Sequence, residues 1–157
     1  MLKIERTTDL NLVKEVMTNK ALFEASMPDE DIAALKEGQW NPSPYGWTYL
    51  KLEKDNKIIG ILRYMHLSNI TVDLHWHLLP EYWGSGLSDK FQEELEKWFR
   101  KNTKVFKITV QTPSACKHTI KAAARVGYEI EGMLIGAIVW RDKVEHLVLM
   151  SKFLRDF

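Results

Sequence analysis

The sequence predicts a mixed α/β fold, with a central sheet of about six or seven strands and helices packed against it. Residues 70–79 are rich in branched and aromatic side chains and lead through glycines into a strongly amphipathic helix. Residues 48–53 and 57–65 alternate in polarity around Asp55-Asn56, which favours a β-hairpin. Another apolar run, 105–110, follows the helix. Because that helix makes a crossover, the strands before and after it should be parallel.

The length of the chain and its charge balance predict the number of domains and argue against nucleic-acid binding. The chain has 157 residues, which predicts one domain spanning residues 1–157. Its 22 basic and 21 acidic side chains leave a formal net charge of +1, and the basic residues form no cluster of the kind that follows a phosphate backbone. Nucleic-acid binding through exposed tryptophans and lysines therefore ranks last among the functions considered.

The cysteine count and the N-terminus predict the compartment. Cys116 is the single cysteine and cannot form an internal disulfide. The first six residues lack the apolar core of a signal peptide, and no apolar run approaches the roughly 18–20 residues that span a bilayer. We therefore expect a soluble, cytoplasmic protein without a membrane partner.

The N-terminal part alternates strand and helix patterns. Leu2–Thr7 reads as a short half-buried strand, and Thr8-Asp9 offers N-cap chemistry for a helix. The apolar face of that helix consists of Leu12, Val13, Val16 and Met17. The break at 26–29 contains Pro28 and should end this helix, after which a second short helix should run to Gly38.

Residues 39–47 combine turn formers with three large aromatic side chains, Trp40, Tyr45 and Trp47. One interpretation is that the two tryptophans cover the edge of the core. The other is that this loop closes over a substrate. The sequence leaves both open.

The remaining elements complete the order β-α-α-β-β-β-α-β-α-β-β. Along the strand at 70–79, alternation puts the apolar residues on one face and three titratable groups, Asp73, His75 and His77, on the other. A short helix at 115–126 should end at Gly127. Two further strands, 130–140 and 144–152, should pair through a turn at 141–143.

The segment from Leu78 to Ser88 is predicted to bind an anion. Gly84 and Gly86 let the backbone turn tightly, and Ser85 between them can leave its amide free. The first N–H groups of the following helix have no partners within it and carry the positive end of its dipole. A phosphate or diphosphate fits this description. A plain tight turn between strand and helix is the alternative.

Two motifs resemble the GNAT superfamily of acetyl-coenzyme A-dependent N-acyltransferases. Pro80-Glu81-Tyr82-Trp83-Gly84-Ser85-Gly86 is similar to the family's diphosphate-binding loop. Arg125-Val126-Gly127-Tyr128-Glu129-Ile130-Glu131-Gly132 has the form of a second family motif. The resemblance covers residues 60–152 well, and it looks closest to the branch that acetylates ribosomal-protein N-termini and small amines. It implies the GNAT fold, with a parallel strand pair splayed around the coenzyme site.

The resemblance also implies a set of coenzyme-binding residues. The backbone of the turn, comprising Trp83, Gly84, Ser85, Gly86, Leu87 and Ser88, would hold the diphosphate of acetyl-CoA. The main chain of Leu78 would bind the pantetheine arm. On the second helix, Cys116 and Thr119 stand where many relatives have Asn and Ser. The tyrosine that protonates the departing thiolate in many members would fall at Ala123, so that acid is missing.

The candidate base lies on the strand before the turn. Asp73 falls where many relatives carry a glutamate, and His75 could share that role, because a histidine titrates near neutral pH. We therefore predict His75 as the base, with Asp73 beside it. The alternative is that His75 and His77 are polar members of a solvated strand face.

The resemblance implies an N-acetyltransferase that moves an acetyl group from acetyl-CoA to a primary amine, either a small amine or a protein N-terminus. The amine would attack directly within a ternary complex, and a homodimer is compatible with this activity. The five scattered histidines and one cysteine show no metal-ligand spacing, so no metal is expected. The alternative is an inactive GNAT-fold binding or accessory protein, of a kind that also occurs in bacteriophages.

Overall fold

The computed structural model describes residues 1–156, with the backbone alone at Ser88. Phe157, the last residue of the predicted domain, lies outside the described residues. The strands are β1 (Leu2–Thr7), β2 (Thr48–Lys54), β3 (Lys57–His66), β4 (Thr71–Leu78), β5 (Lys107–Pro113), β6 (Glu129–Trp140) and β7 (Lys143–Phe153). The helices are α1 (Leu10–Met17), α2 (Lys20–Ser26), α3 (Asp29–Lys36), α4 (Leu87–Asn102) and α5 (Lys117–Arg125).

The seven strands form one mixed sheet, in the order β1-β2-β3-β4-β5-β7-β6. All neighbouring pairs are antiparallel except β4 and β5, which are parallel. The crossover from β4 to β5 runs through α4, as the sequence predicted, because parallel strands need a long connection. The predicted α/β class and the central parallel pair are therefore confirmed.

Helix α4 forms the core on one face of the sheet. Its apolar residues recur every three or four positions, so they share one side of the helix. Leu87, Phe91, Leu95 and Phe99 are all buried against the sheet. The ring of Phe91 lies 5.9 Å from that of Trp76 on β4. This packing fixes the start of α4 close to the end of β4.

The N-terminal region contains one helix more than the sequence predicted. Asp9 caps α1 as expected, since its carboxylate accepts from the amides of Asn11 and Leu12 at 3.1 Å. The predicted single helix up to Ser26 is nevertheless divided at Thr18-Asn19. The Asn19 side chain accepts from the Leu22 amide at 3.2 Å and begins α2 as a new helix. The prediction followed apolar periodicity and missed this internal cap.

Both predicted hairpin turns are present. Asp55 and Asn56 have φ of 51° and 65°, and Arg141 and Asp142 have φ of 53° and 63°. Two-residue turns with both residues at positive φ match the twist of paired strands. Strand β5 ends later than predicted, because its pairing with β7 continues to Pro113, opposite Leu147.

None of the helices within residues 1–156 is both long enough and apolar enough to cross a membrane.

Candidate active site

A cleft opens where the parallel strands separate. Strands β4 and β5 pair only at their first three positions, the last being Asp73 opposite Thr109. Beyond that point they diverge around a cleft of about 360 Å³. Its walls are Leu74 to Leu78 of β4, Val110 to Pro113 of β5, parts of α2 and α5, and Trp140. Part of the turn at residues 83–86, which precedes α4 and which we call the glycine turn, also lines it. The predicted gap between splayed strands is thus present.

The backbone of β4 presents hydrogen-bonding groups to this gap. The Leu79 amide donates to the Ile59 carbonyl on β3 at 2.9 Å. Because backbone direction alternates along a strand, the N–H and C=O groups of the odd-numbered residues of β4 point toward β3. The N–H and C=O groups of the even-numbered residues therefore point toward β5. The Val72 carbonyl, for example, accepts from the Thr109 hydroxyl at 3.0 Å. Past the last paired position, the backbone groups of Leu74, Trp76 and Leu78 point into the cleft.

The main chain of Leu78 has a hydrogen-bond partner within the protein. Its main chain was predicted to bind pantetheine, but its carbonyl accepts from the indole Nε1 of Trp83 at 2.8 Å. The Trp83 amide in turn donates to the Pro80 carbonyl at 3.1 Å, because Pro80–Tyr82 is a 3₁₀ turn. The Trp83 amide is therefore not free for a ligand, and one lone pair of the Leu78 carbonyl is already used. The Leu78 amide and both backbone groups of Trp76 still face the gap.

The glycine turn lies at the rim of the cleft, which Trp83 and Gly84 line directly. Gly84 and Gly86 have φ of 69° and 73°, and a Cβ at either would meet nothing within 4 Å. The glycines are thus needed for backbone conformation rather than for space. Ser85 donates its hydroxyl to the Tyr82 carbonyl at 2.7 Å, which ties the turn together.

Helix α4 begins directly after the turn, with Gly86 at its N-cap. Helix geometry gives the amides of Leu87, Ser88 and Asp89 no partner within the helix. The amides available to an anion therefore begin after Trp83 and continue into the first turn of α4. Leu87 itself is buried in the core, so only its backbone is available; the side chain of Ser88 lies outside the described residues.

Helix α5 forms the opposite wall. Cys116 and Thr119, the residues predicted to contact pantetheine, both line the cleft. Burial raises the pKa of the Cys116 thiol, so it stays protonated and is a poor nucleophile. Ala123, the position assigned to the missing tyrosine, is buried in the core, and Ala122 lines the cleft instead.

Tyr82 also lines the cleft, and the sequence reasoning gave it no role. Tyr82 belongs to the loop motif at residues 80–86, and that membership is the sequence feature that could have indicated a role in the site. It is the tyrosine among the cleft residues that could offer a hydroxyl proton.

Asp73 and His75 form the pair that the sequence predicted on one face of β4. Asp73 Oδ2 lies 2.9 Å from His75 Nε2, and Asp73 is only 8% exposed. His75 lines the cleft, whereas Asp73 lies behind it. A carboxylate can only accept, so it favours the tautomer with hydrogen on Nε2 and leaves a lone pair on Nδ1. This arrangement suits a general base.

The two tryptophans of the loop at 39–47 lie in different surroundings. Trp40 is buried edge-to-face on Phe23, with ring centroids 5.0 Å apart, so it covers the core. Trp47 instead meets His75 edge-on at 5.4 Å, and the Arg63 guanidinium lies 4.4 Å from its ring. The core-edge interpretation holds for Trp40, while Trp47 packs against the candidate base.

The turn between β6 and β7 is tied to the helical side of the cleft. The Asp29 carboxylate accepts from the Arg141 and Asp142 amides, both at 2.8 Å, and from the Arg141 guanidinium at 2.9 Å. The same guanidinium donates to the carbonyls of Met27, at 3.1 Å, and Glu24. Trp140 at this turn and Ser26 at the end of α2 both line the cleft. The contact therefore joins two parts of its wall.

Within the described part of the chain, no group of three or more His, Cys, Asp and Glu side chains is arranged to hold a metal ion.

Comparisons with known proteins find similarity in the fold. No protein-family model matches the chain, and no curated protein matches it in sequence. A crystal structure of spermidine N-acetyltransferase from Vibrio cholerae in complex with CoA and spermine has a TM-score of 0.74 at 12% identity, covering 98% of this chain and 95% of that one. The dodecameric structure of that enzyme in an intermediate state has a TM-score of 0.73 at 15% identity, covering 98% and 94%. A candidate phosphinothricin N-acetyltransferase has a TM-score of 0.72 at 13% identity, covering 99% and 100%.

These likenesses establish the class of fold. The chain has the mixed α/β fold of the GNAT N-acetyltransferases, which confirms the fold that the loop motif implied. The neighbours do not distinguish the ribosomal-protein branch from other branches, so that finer prediction is not confirmed.

Proposed function

We propose that this protein is an N-acetyltransferase that moves an acetyl group from acetyl-CoA to a primary amine. One observation carries the proposal. The cleft between β4 and β5 has at its rim the glycine turn that leads into α4, and on its wall His75, which is hydrogen-bonded to Asp73 behind it. The shared fold supports it, because a neighbour of that fold was crystallised with CoA.

The residues of the cleft fit acetyl-CoA. The amides from Gly84 into the first turn of α4 would hold the diphosphate, since they are aligned with the positive end of the helix dipole. The backbone groups of Trp76 and the amide of Leu78 would pair with the amides of pantetheine, as one strand pairs with another. Cys116 and Thr119 would line the arm from the other side. The thioester supplies an activated acetyl group when bound.

The chain contributes positioning and proton transfer. His75 Nδ1 would take the proton that the amine loses, and Asp73 would hold the ring and stabilise its charged form. Holding the amine beside the acyl carbon makes the attack effectively unimolecular. The C–S bond would break as the amide forms, and the hydroxyl of Tyr82 is the candidate to protonate the departing thiolate, in place of the absent tyrosine of α5.

The acceptor is proposed as a primary amine of a small molecule or a protein N-terminus. It would enter from the side of α2 and Trp47, because His75 faces that side of the sheet. The fold neighbour named for spermidine acts on an amine, which agrees with this class.

The test combines binding and turnover. Calorimetric titration with acetyl-CoA should show one site, and acetyl-pantetheine, which lacks the diphosphate, should bind on the order of a hundredfold more weakly if the turn holds that group. Thiol release should then be followed over a panel of polyamines, amino acids and N-terminal peptides.

Thiol release that depends on the presence of one class of amine would support the proposal that the protein is an N-acetyltransferase. Tight binding without release from any amine would favour the binding or accessory protein instead. Failure to bind acetyl-CoA would remove both the coenzyme site and the proposed enzyme.

A further inference from the structure

His77 is a buried histidine on the cleft wall that the mechanism above does not use. It lies two residues beyond His75 on β4 and is 3% exposed. The two rings are stacked with an interplanar angle of 9° and centroids 6.5 Å apart. The His77 ring forms part of the wall on the side of α2. Its environment determines what this ring can do.

The hydrogen bonds of Ser26 fix the tautomer of His77. The Ser26 hydroxyl donates its one proton to the Leu22 carbonyl at 2.7 Å. Toward His77 Nδ1, 3.3 Å away, that hydroxyl can therefore only accept. Nδ1 must carry the hydrogen, and in a neutral imidazole Nε2 then carries the lone pair.

His77 stays neutral. Burial lowers its pKa well below the ordinary value, and the nearby charge of Arg63 on β3 and the ring of His75 on β4 act in the same direction. The ring is therefore a hydrogen-bond acceptor at Nε2 and cannot serve as a cation or donate from that atom.

The Nε2 lone pair has no hydrogen-bond partner among the residues described. A buried polar atom without a partner is costly, and such atoms in native proteins are usually satisfied by water or a ligand. Its partner must be a donor, which excludes the thioester oxygen and suits an amine N–H.

We propose that His77 Nε2 accepts a hydrogen bond from the nitrogen of the amine acceptor and so orients it for attack. This inference rests on the proposed function. His75 takes one proton from the nitrogen, and His77 holds another N–H. The neutral amine attacks with its own lone pair, which points away from the two held N–H bonds and toward the acyl carbon, and His75 takes its proton as the N–C bond forms.

The tautomer can be tested without any activity. In the full-length protein labelled with ¹⁵N-histidine, the His77 ring should show the Nδ1–H tautomer and remain neutral as the pH falls from 8 to about 5. A ring with hydrogen on Nε2, or one that titrates near its ordinary pKa, would overturn the inference.

Two substitutions distinguish the contribution of His77 Nδ1 from that of Nε2. His77→Asn keeps a side-chain N–H near the Nδ1 position for Ser26 and places no atom at the Nε2 position. We expect it to raise KM for the acceptor on the order of tenfold or more, with the Kd of acetyl-CoA unchanged. His77→Gln, which extends its amide toward the Nε2 position, should recover part of that loss. His66→Asn, on β3 outside the cleft wall, is the matched control.

The outcomes distinguish this inference from the proposed function. If the wild-type chain transfers acetyl groups and His77→Asn has an unchanged acceptor KM, then a buried water satisfies Nε2 and the inference is wrong while the function stands. If the wild-type chain transfers no acetyl group to any amine, the proposed function fails, and the acceptor role of His77 fails with it even if the tautomer is as expected.

Discussion

Asp29 and Arg141 lie 112 residues apart in the sequence and form an ion pair, with Arg141 Nη1 2.9 Å from Asp29 Oδ1. The Asp29 carboxylate accepts from two amides of the β6–β7 turn, at 2.8 Å each. The Arg141 guanidinium donates to the carbonyls of Glu24 and Met27 at the end of α2. A cation there also interacts favourably with the negative end of the helix dipole. This reciprocal contact joins the N-terminal helices to the C-terminal hairpin across one end of the cleft.

Replacing Asp29 should therefore loosen both elements together. Asp29→Ala removes the acceptor for two amides and a guanidinium, and we expect a lower Tm. Glu30→Ala, the matched control, removes an equal charge from the next residue of α3, whose side chain is exposed. Thermal unfolding of both variants at pH 7 measures the difference. Equal Tm values would mean that the contact contributes nothing to stability.

The same contact should depend on pH. Hydrogen bonds from the Asp142 and Arg141 amides lower the pKa of Asp29. A lowered pKa in the folded state gives stability that is fully present above the unfolded value of about 3.9 and is lost as the pH falls through the folded value. The Tm difference between the wild type and Asp29→Ala should thus be constant from pH 7 to about 5 and shrink below 4. A difference that persists unchanged at pH 2.5 would contradict this linkage.

Gly60 is expected to tolerate no side chain. A Cβ there would lie 2.6 Å from the His77 carbonyl oxygen and 3.0 Å from Leu78 Cδ2, and the nearer atom belongs to the backbone of β4. Gly60→Ala should therefore push β3 from β4 and reduce the free energy of unfolding by about 1–3 kcal/mol. Urea unfolding provides the measurement.

Gly132→Ala is its control, since a Cβ at Gly132 meets nothing within 4 Å. That variant should stay within about 0.5 kcal/mol of the wild type. If the two substitutions cost the same, the close approach at Gly60 is not the cause.

The sequence predicted the elements that depend on local patterns. The alternation along β4 placed Asp73 and His75 on one face, and the side chains indeed hydrogen-bond. Gly84 and Gly86 marked a turn whose positive φ angles require glycine. These features follow from the residue types within a few positions of each other, so no knowledge of distant segments was needed.

Contacts between distant segments could not be read in this way. Nothing near Asp29 in the sequence indicates Arg141, and nothing near His77 indicates Ser26 as the group that fixes its tautomer. The indole of Trp83 bonds to the Leu78 carbonyl because the 3₁₀ turn folds back on β4, which the motif alone does not specify. Asn19 is different, because an Asn before Lys20-Ala21-Leu22 is a cap that the sequence did offer.

Gly86 is expected to be required for its backbone angle alone. Its φ of 73° is left-handed, and a Cβ there would meet nothing within 4 Å. Gly86→Ala should therefore cost about 1–2 kcal/mol of stability and weaken acetyl-CoA binding through the displaced amides. Gly86→Asn should cost less, because Asn adopts this region more readily. Chemical unfolding and calorimetry would measure both effects, and an equal loss for the two variants would indicate a steric cause instead.

The last prediction concerns His75 as the base. His75→Ala should lower kcat by about 10²- to 10⁴-fold with the Kd of acetyl-CoA within twofold of the wild type, because in the proposed mechanism the ring would contact the amine and not the diphosphate. A general base works only when it is deprotonated, so the wild-type rate should rise with pH until the base has lost its proton. In His75→Ala that rise should disappear. Asp73→Asn should also lower kcat, because its amide can donate to Nε2 and so favour the tautomer without a lone pair on Nδ1, and because it removes the charge that stabilises the protonated ring. A full set of initial rates from pH 5.5 to 8.5 decides the question, because a variant with the wild-type pH profile would remove His75 from the mechanism whatever its effect on kcat.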